Sequence, residues 1–383
     1  MSPEADATGV GAPVDMLVVT TRQKATDPGE IFSGDRAKSW TVANIVVSIP
    51  PESARKIGDV QWPRKLPGNP ATDFVTTKVA EVPPGGAIDW YKRVASRNKR
   101  VFIFVHGFNN TFEEAVYRFA QIVHDSHTDA APVLFTWPSR GSVFDYVYDK
   151  ESATYSRNAL EAVMTRAASD PNVSDVTVMA HSMGNWVLAE ALRQMAIRRG
   201  RILPKIHNVI MAAPDIDVDV FRSDFGDITG PRPRFTIFVS QDDRALAFSR
   251  RIGGDITRLG AINPNDEPYK SEMAEDNIVV IDLTKLKSGD SMNHGKFAES
   301  PAVVKLIGER LIAGQTVTDA NLSVGERITQ ATLGATSVVG STVGAVVSAP
   351  IAVVDPNTRR AFGRQVNNIG DGLSSGTAAI TGQ

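Results

Sequence analysis

The sequence predicts an α/β fold, with a mostly parallel central sheet and helices on both faces. Continuous apolar runs recur from Val101 to Leu283, each of strand length and bounded by turn residues. Amphipathic stretches with helical spacing lie between them. One strand-to-helix junction carries a serine whose neighbours at minus two and plus two are small. Strands buried on both faces read as unbroken apolar runs, and alternation of such strands with helices implies a parallel sheet covered on both sides.

The elements follow in order. Residues 1–12 read as a flexible tail, and Met16-Leu-Val-Val-Thr20 as a strand. Residues 25–98 hold many turn signals around one apolar strand, Val42–Ser48, so 13–98 reads as an irregular β-rich entry. Val101–Val105 is a buried strand. Thr111-Phe-Glu-Glu114 has the pattern of a capping box and opens a helix with Phe112, Val116, Phe119 and Val123 on one face. Pro132–Thr136 is the next strand, and a helix follows around Ser156–Ala168. Strand 175–180 leads into a helix over about 184–198. Further strands are Asn208–Ala212, Phe235–Val239 and Asn277–Leu283. A helix around Pro301–Ile312 closes the alternation, giving a catalytic domain over 13–315. The remaining 316–383 form a Gly/Ala/Ser/Thr-rich extension. Within it, Ile328–Val354 has no charged residue and a Gly340/Gly344 pair, a candidate for membrane or self-association despite its weak hydrophobicity.

Composition excludes several functions. A net charge of −2 offers no electrostatic case for nucleic acid or an anionic membrane. The absence of cysteine rules out thiol catalysis, disulfides and zinc–thiolate sites. No His/Asp/Glu grouping suggests a metal, and no cofactor is expected. As written, the N-terminus shows no signal peptide.

The chemistry points to Ser182. In Asp175-Val-Thr-Val-Met-Ala-His-Ser-Met-Gly-Asn185 it stands at the apex of a strand–turn–helix, with Ala180 and Gly184 beside it. Such a sharp turn lifts the hydroxyl clear of the sheet and aims the N–H of Met183 at the position an oxyanion would occupy. Gly372-Leu-Ser-Ser-Gly376 fits the bare pattern better, yet Ser374 has no preceding β run and no downstream histidine.

A serine hydroxyl needs a base and a group to orient that base. Only His207 and His294 follow Ser182. His207 precedes a strand, at the amino edge of the sheet, whereas His294 follows the last strand, at the carboxyl edge. His294 is therefore the base by elimination. The acid should leave the end of strand 235–239, where Asp242 and Asp243 stand. Asp243 is favoured, Asp242 reads as a turn residue, and Asp215 at the end of the preceding strand is the reserve. The loop His106-Gly-Phe-Asn-Asn110 supplies a second oxyanion donor, the N–H of Phe108, with Gly107 allowing close approach. His106 reads as a brace for that loop. Trp137, Arg140, Tyr146 and Tyr148 are candidates to line a substrate pocket, or else to plug a loop.

From Val101 to about Ala302 the chain resembles the α/β-hydrolase superfamily, and more narrowly a group of bacterial esterase/lipase-like hydrolases. The carrying residues are Phe104–Asn110, Phe135–Ser139, Ala180–Asn185, Ala213–Asp217 and Ser240–Leu246, in that order, with Met16–Arg22 and Val46–Pro50 resembling entry strands. The resemblance implies an α/β-hydrolase fold and a Ser-His-Asp hydrolase of carboxylic esters, small or lipid, with no cofactor. Two other functions fit the same residues: an acyltransferase or membrane-associated lipase, and a non-catalytic hydrolase-fold scaffold.

Overall fold

A computed structural model describes residues 10–27, 29–95, 98–286 and 290–308. In chain order the strands are β1 (Ala12–Lys24), β2 (Phe32–Ile49), β3 (Val75–Glu81), β4 (Arg100–Val105), β5 (Ala131–Thr136), β6 (Asp175–His181), β7 (Ile206–Ala212), β8 (Arg234–Val239) and β9 (Val279–Asp282). They form one sheet in the order β3-β2-β1-β5-β4-β6-β7-β8-β9. From β1 through β9 every neighbouring pair is parallel, and only the β1–β2 and β2–β3 pairs are antiparallel. This is the mostly parallel, helix-covered sheet that the apolar runs predict. It puts β6, with Ser182 just beyond its end, between β4 and β7.

The helices are α1 (Gly86–Val94), α2 (Phe112–Asp125), α3 (Tyr146–Ser169), α4 (Gly184–Arg199), α5 (Val218–Gly226), α6 (Arg244–Ile252), α7 (Tyr269–Glu275), α8 (Lys296–Glu299) and α9 (Pro301–Leu306). Alternate residues of each strand serve opposite faces. Val101, Ile103 and Val105 of β4 join the core under α1, α3 and α4, while Phe102 and Phe104 join the core under α2 and α9. Phe104 stacks on Phe119 of α2 at 5.3 Å. The capping box at Thr111 is complete: its hydroxyl accepts from the Glu114 N–H, and the Glu114 carboxylate accepts from the Thr111 N–H. Such a cap stabilises its helix by about 1 kcal/mol.

The N-terminal region is more regular than expected. β2 runs 18 residues, well beyond the apolar stretch 42–48, because its first half lies largely outside the core. β3 and α1 occupy a span where turn signals dominate. Pro83 and Pro84 precede α1, and Gly85, at φ 87°, starts it. Helix α3 begins ten residues earlier than its apolar spacing indicates. Buried polar positions at Asp149, Ser152 and Ser156 blur the helical period there. The last helix is described through Leu306. The 316–383 extension, with its 328–354 segment, lies outside the described residues, as does most of the 1–12 tail. Among the described residues, no helix is long and apolar enough to cross a membrane.

Candidate active site

Ser182 sits in the left-handed region at φ 52°, as a sharp strand-to-helix turn requires. A non-glycine residue there costs of order 1–3 kcal/mol and persists only when its surroundings over-determine it. They do. The Ser182 N–H donates to the Ala212 carbonyl at 3.0 Å, and the Ser182 carbonyl accepts from the N–H groups of Asn185 and Asp215, both at 3.1 Å. The Asn185 side-chain amide donates to the same carbonyl and to Ala212. Gly184 has no room for a side chain, since a Cβ would lie 2.3 Å from the His106 carbonyl oxygen. Ala180 is fully buried. The small neighbours are thus a packing requirement of the turn. Met183 occupies the N-cap position of α4, where backbone N–H groups have no intrahelical acceptor.

The structure brings Asp243 and His294 together. Asp243 Oδ1 caps α6 by accepting the Leu246 N–H at 2.9 Å, while Oδ2 lies 2.6 Å from His294 Nδ1. The other two acids are engaged elsewhere. Asp242 Oδ1 accepts from Lys296 Nζ and the Ser240 hydroxyl, each at 2.6 Å, and Oδ2 accepts from Asn293. Asp215 accepts from the Ser249 hydroxyl at 2.5 Å and from the Tyr146 hydroxyl at 3.3 Å, beside Arg258. Burial raises the Asp215 carboxyl above the usual range.

His294 is held by a loop wrapped around the Asp290 carboxylate, which accepts from the N–H groups of Met292, His294 and Gly295. Its ring packs against that of His181, the residue preceding Ser182, with centroids 4.6 Å apart. Burial, the largest single influence, lowers the His294 pKa, but the Asp243 carboxylate, through its charge and hydrogen bond, together with Asp215 and Asp290, raises it above the ordinary value. His181 moves the other way. Burial, then the charge of His294, holds it well below its usual pKa.

The loop after β4 lies directly against the serine. A Cβ on Gly107 would meet Ser182 Cβ at 2.8 Å and His181 Nδ1 at 2.9 Å. The loop is fastened from behind by a buried polar network. Arg22, at the end of β1, donates to the Asn110 carbonyl at 2.8 Å, the Ser139 carbonyl at 2.7 Å and Thr136 Oγ1 at 2.9 Å. Burial lowers its pKa to about 10, so it stays charged at neutral pH. His106 Nε2 accepts from the Trp137 N–H at 3.1 Å, and Nδ1 lies 2.8 Å from the Gly107 carbonyl, which assigns the proton to Nδ1. Burial and then Arg22 push the His106 pKa down to about 3, consistent with a neutral brace. Neither Arg22 nor Asp290 stands out in the sequence. The only sign of Arg22 is a cation closing an apolar strand.

The four aromatic and basic pocket candidates separate. Trp137 is fully buried beneath the loop, stacked on His106 at 5.0 Å with its indole N–H on the His106 carbonyl. It is a plug and does not form an accessible wall. Arg140 lies 3.7 Å over the Tyr148 ring and pairs with Asp35 and Asp145, while the Tyr148 hydroxyl donates to Gly34. This pair ties the β2 ribbon to α3, because the ribbon extends past its apolar stretch to meet them. Tyr146 lies edge-on to Phe108 of the loop at 5.3 Å. Among the described residues no cluster of three or more His, Asp or Glu has metal-binding geometry.

A family model described as an alpha/beta hydrolase of unknown function (DUF900) matches residues 88–310. The uncharacterized protein alr1448 of Nostoc sp. (strain PCC 7120) is 22% identical over 63% of this chain and 83% of its own length. A solved structure of RedJ, with a PEG molecule bound in its active site, matches at a TM-score of 0.24 and 15% identity, over 48% of this chain and 94% of that one. A likeness so distant carries no argument about the site.

Proposed function

The chain belongs to the α/β-hydrolase family of unknown function whose model spans residues 88–310, and we propose that it hydrolyses carboxylic esters through an acyl-serine. The observation that carries this reading is the 2.6 Å contact between Asp243 Oδ2 and His294 Nδ1, on an imidazole packed against the residue before the strained serine. A proton on Nδ1 shared with the carboxylate leaves Nε2 with a lone pair, which is what a base needs.

The steps follow from that arrangement. Ser182 Oγ attacks the ester carbonyl carbon as His294 Nε2 takes its proton. Asp243 orients the ring and stabilises the imidazolium. The N–H groups of Met183 and Phe108 donate to the oxyanion. The C–O bond to the alcohol then breaks, and His294 returns the proton to the departing oxygen. Water, deprotonated by the same nitrogen, releases the acid and restores the serine.

A panel of p-nitrophenyl esters of graded acyl length tests the reading. Saturable turnover of at least one chain length is expected. Buffer-level hydrolysis across the whole panel would favour a non-catalytic scaffold. Gly107→Ala offers a finer check. The added methyl displaces the oxyanion loop from Ser182, so kcat should fall by about 10²-fold, the usual cost of an ångström-scale misplacement. Retained kcat would detach that loop from catalysis.

A further inference from the structure

A cavity of about 950 Å³ opens between α1, α3 and the β1–β2 ribbon. Its floor is the α3 face of the sheet, formed by Leu17, Val19, Val133, Val101 and Ile103, and its walls include Trp40, Trp90, Tyr91 and Val163. None of residues 106–108, 181–183, 243 or 290–295 lines it, so it is separate from the candidate active site. The volume lies near the top of the ~300–1,000 Å³ range of small-molecule sites.

Residual exposure marks the same place. Leu17 and Val19 remain 7% and 5% exposed, whereas Met16 and Val18, on the opposite face of the same strand, are at 0%. Trp40 is 45% exposed and Ile88 is 40% exposed at the mouth. A large indole left in water beside an open apolar cavity is a poor solvated surface but a good wall for a chain.

The charged groups of the lining are Arg22, Lys24, Lys38 and Arg166 against Glu81 and Asp170, four cations to two carboxylates. Lys24 pairs with Glu81 at 2.6 Å, and Arg22 is committed to the oxyanion loop. The Asp170 carboxylate accepts from Asn172. Lys38 and Arg166, both exposed, have no side-chain partner among the described residues. An apolar chamber with two uncommitted cations suits a single apolar chain ending in one anionic group.

We propose that this cavity binds a long-chain carboxylate, with the hydrocarbon against Leu17, Val19, Trp40 and Trp90 and the carboxylate at Lys38 and Arg166. The site is independent of the hydrolase reading: Arg22 borders the cavity from behind the loop, but none of the residues proposed to hold the ligand belongs to the Ser182 site.

Calorimetric titration of the full chain with dodecanoate, and separately with dodecanol, tests this. One saturable dodecanoate site per chain is expected. Val163→Trp should fill the chamber and weaken both ligands at least tenfold. The surface double variant Lys38→Glu/Arg166→Glu should weaken dodecanoate at least tenfold and leave dodecanol unchanged, which keeps the test decisive if Val163→Trp fails to fold. Absence of saturable binding to the wild type would overturn the proposal. So would affinity untouched by the charge reversal, or dodecanol bound as well as dodecanoate. Ester turnover should persist in the double variant, so failure of this site would leave the hydrolase reading standing.

Discussion

Ser182→Ala is expected to lower kcat for ester hydrolysis by about 10⁴–10⁶-fold, the range seen when a nucleophilic serine is removed and only oxyanion donors and binding remain. The substitution is clean because the structural bonds of Ser182 run through its backbone: N–H to Ala212, and carbonyl to Asn185 and Asp215. Alanine keeps the Cβ and accepts the same φ of 52° at similar strain. Thermal melting should therefore stay where it is or rise slightly, since strained active-site residues are held at some expense to stability. Steady-state kinetics and a melting curve on the same preparation check both halves. Turnover retained within tenfold of wild type would remove Ser182 from the mechanism.

Asp243→Asn should cost about 10⁴-fold in kcat, because an amide facing His294 Nδ1 favours the wrong tautomer. The helix cap need not suffer. Asparagine caps as well as aspartate, and its carbonyl can still accept the Leu246 N–H now bound by Oδ1. The pH profile separates a catalytic loss from a structural one. In the proposed mechanism neutral His294 is the base, so kcat/KM should be full above the His294 pKa and fall as pH drops through it. In the wild type Asp243, with Asp215 and Asp290, outweighs burial and raises that pKa, placing the acid limb above the unperturbed value of about 6.5. Without the Asp243 carboxylate, burial, the largest influence, is opposed only by Asp215 and Asp290, and the pKa falls. The limb of the residual activity should move to lower pH. A limb at unchanged pH would mean that some other group titrates.

Much of the fold is legible in the sequence. Strands β4 to β8 lie in the middle of a parallel sheet, so they read as plain apolar runs. Their alternation with helices gave the layer order. α2 announced itself through Thr111 and Glu114. Ser182 was marked by Ala180 and Gly184, and the structure gives the reason in the closeness of the His106 carbonyl. What stayed hidden depends on direction and distance. Asp242 and Asp243 are neighbours, and only the course of the backbone decides that one turns to Lys296 and the other to His294. Asp215 ends a strand as the reserve acid should, but faces Ser249 and Tyr146 instead. Trp137 and His106 stack because two strand ends meet, a contact 31 residues apart in sequence. Arg22 and Asp290 act through backbone carbonyls and N–H groups, which carry no side-chain signature. Edge elements such as β3, half polar by position, give no apolar run to read.

The most direct measurement is to map a fluorophosphonate adduct by peptide mass spectrometry on the wild type, Ser182→Ala and His294→Ala. The account predicts a single adduct on Ser182, absent from Ser182→Ala and formed far more slowly in His294→Ala. An adduct on another residue, or labelling of Ser182 at full rate without the imidazole of His294, would contradict it.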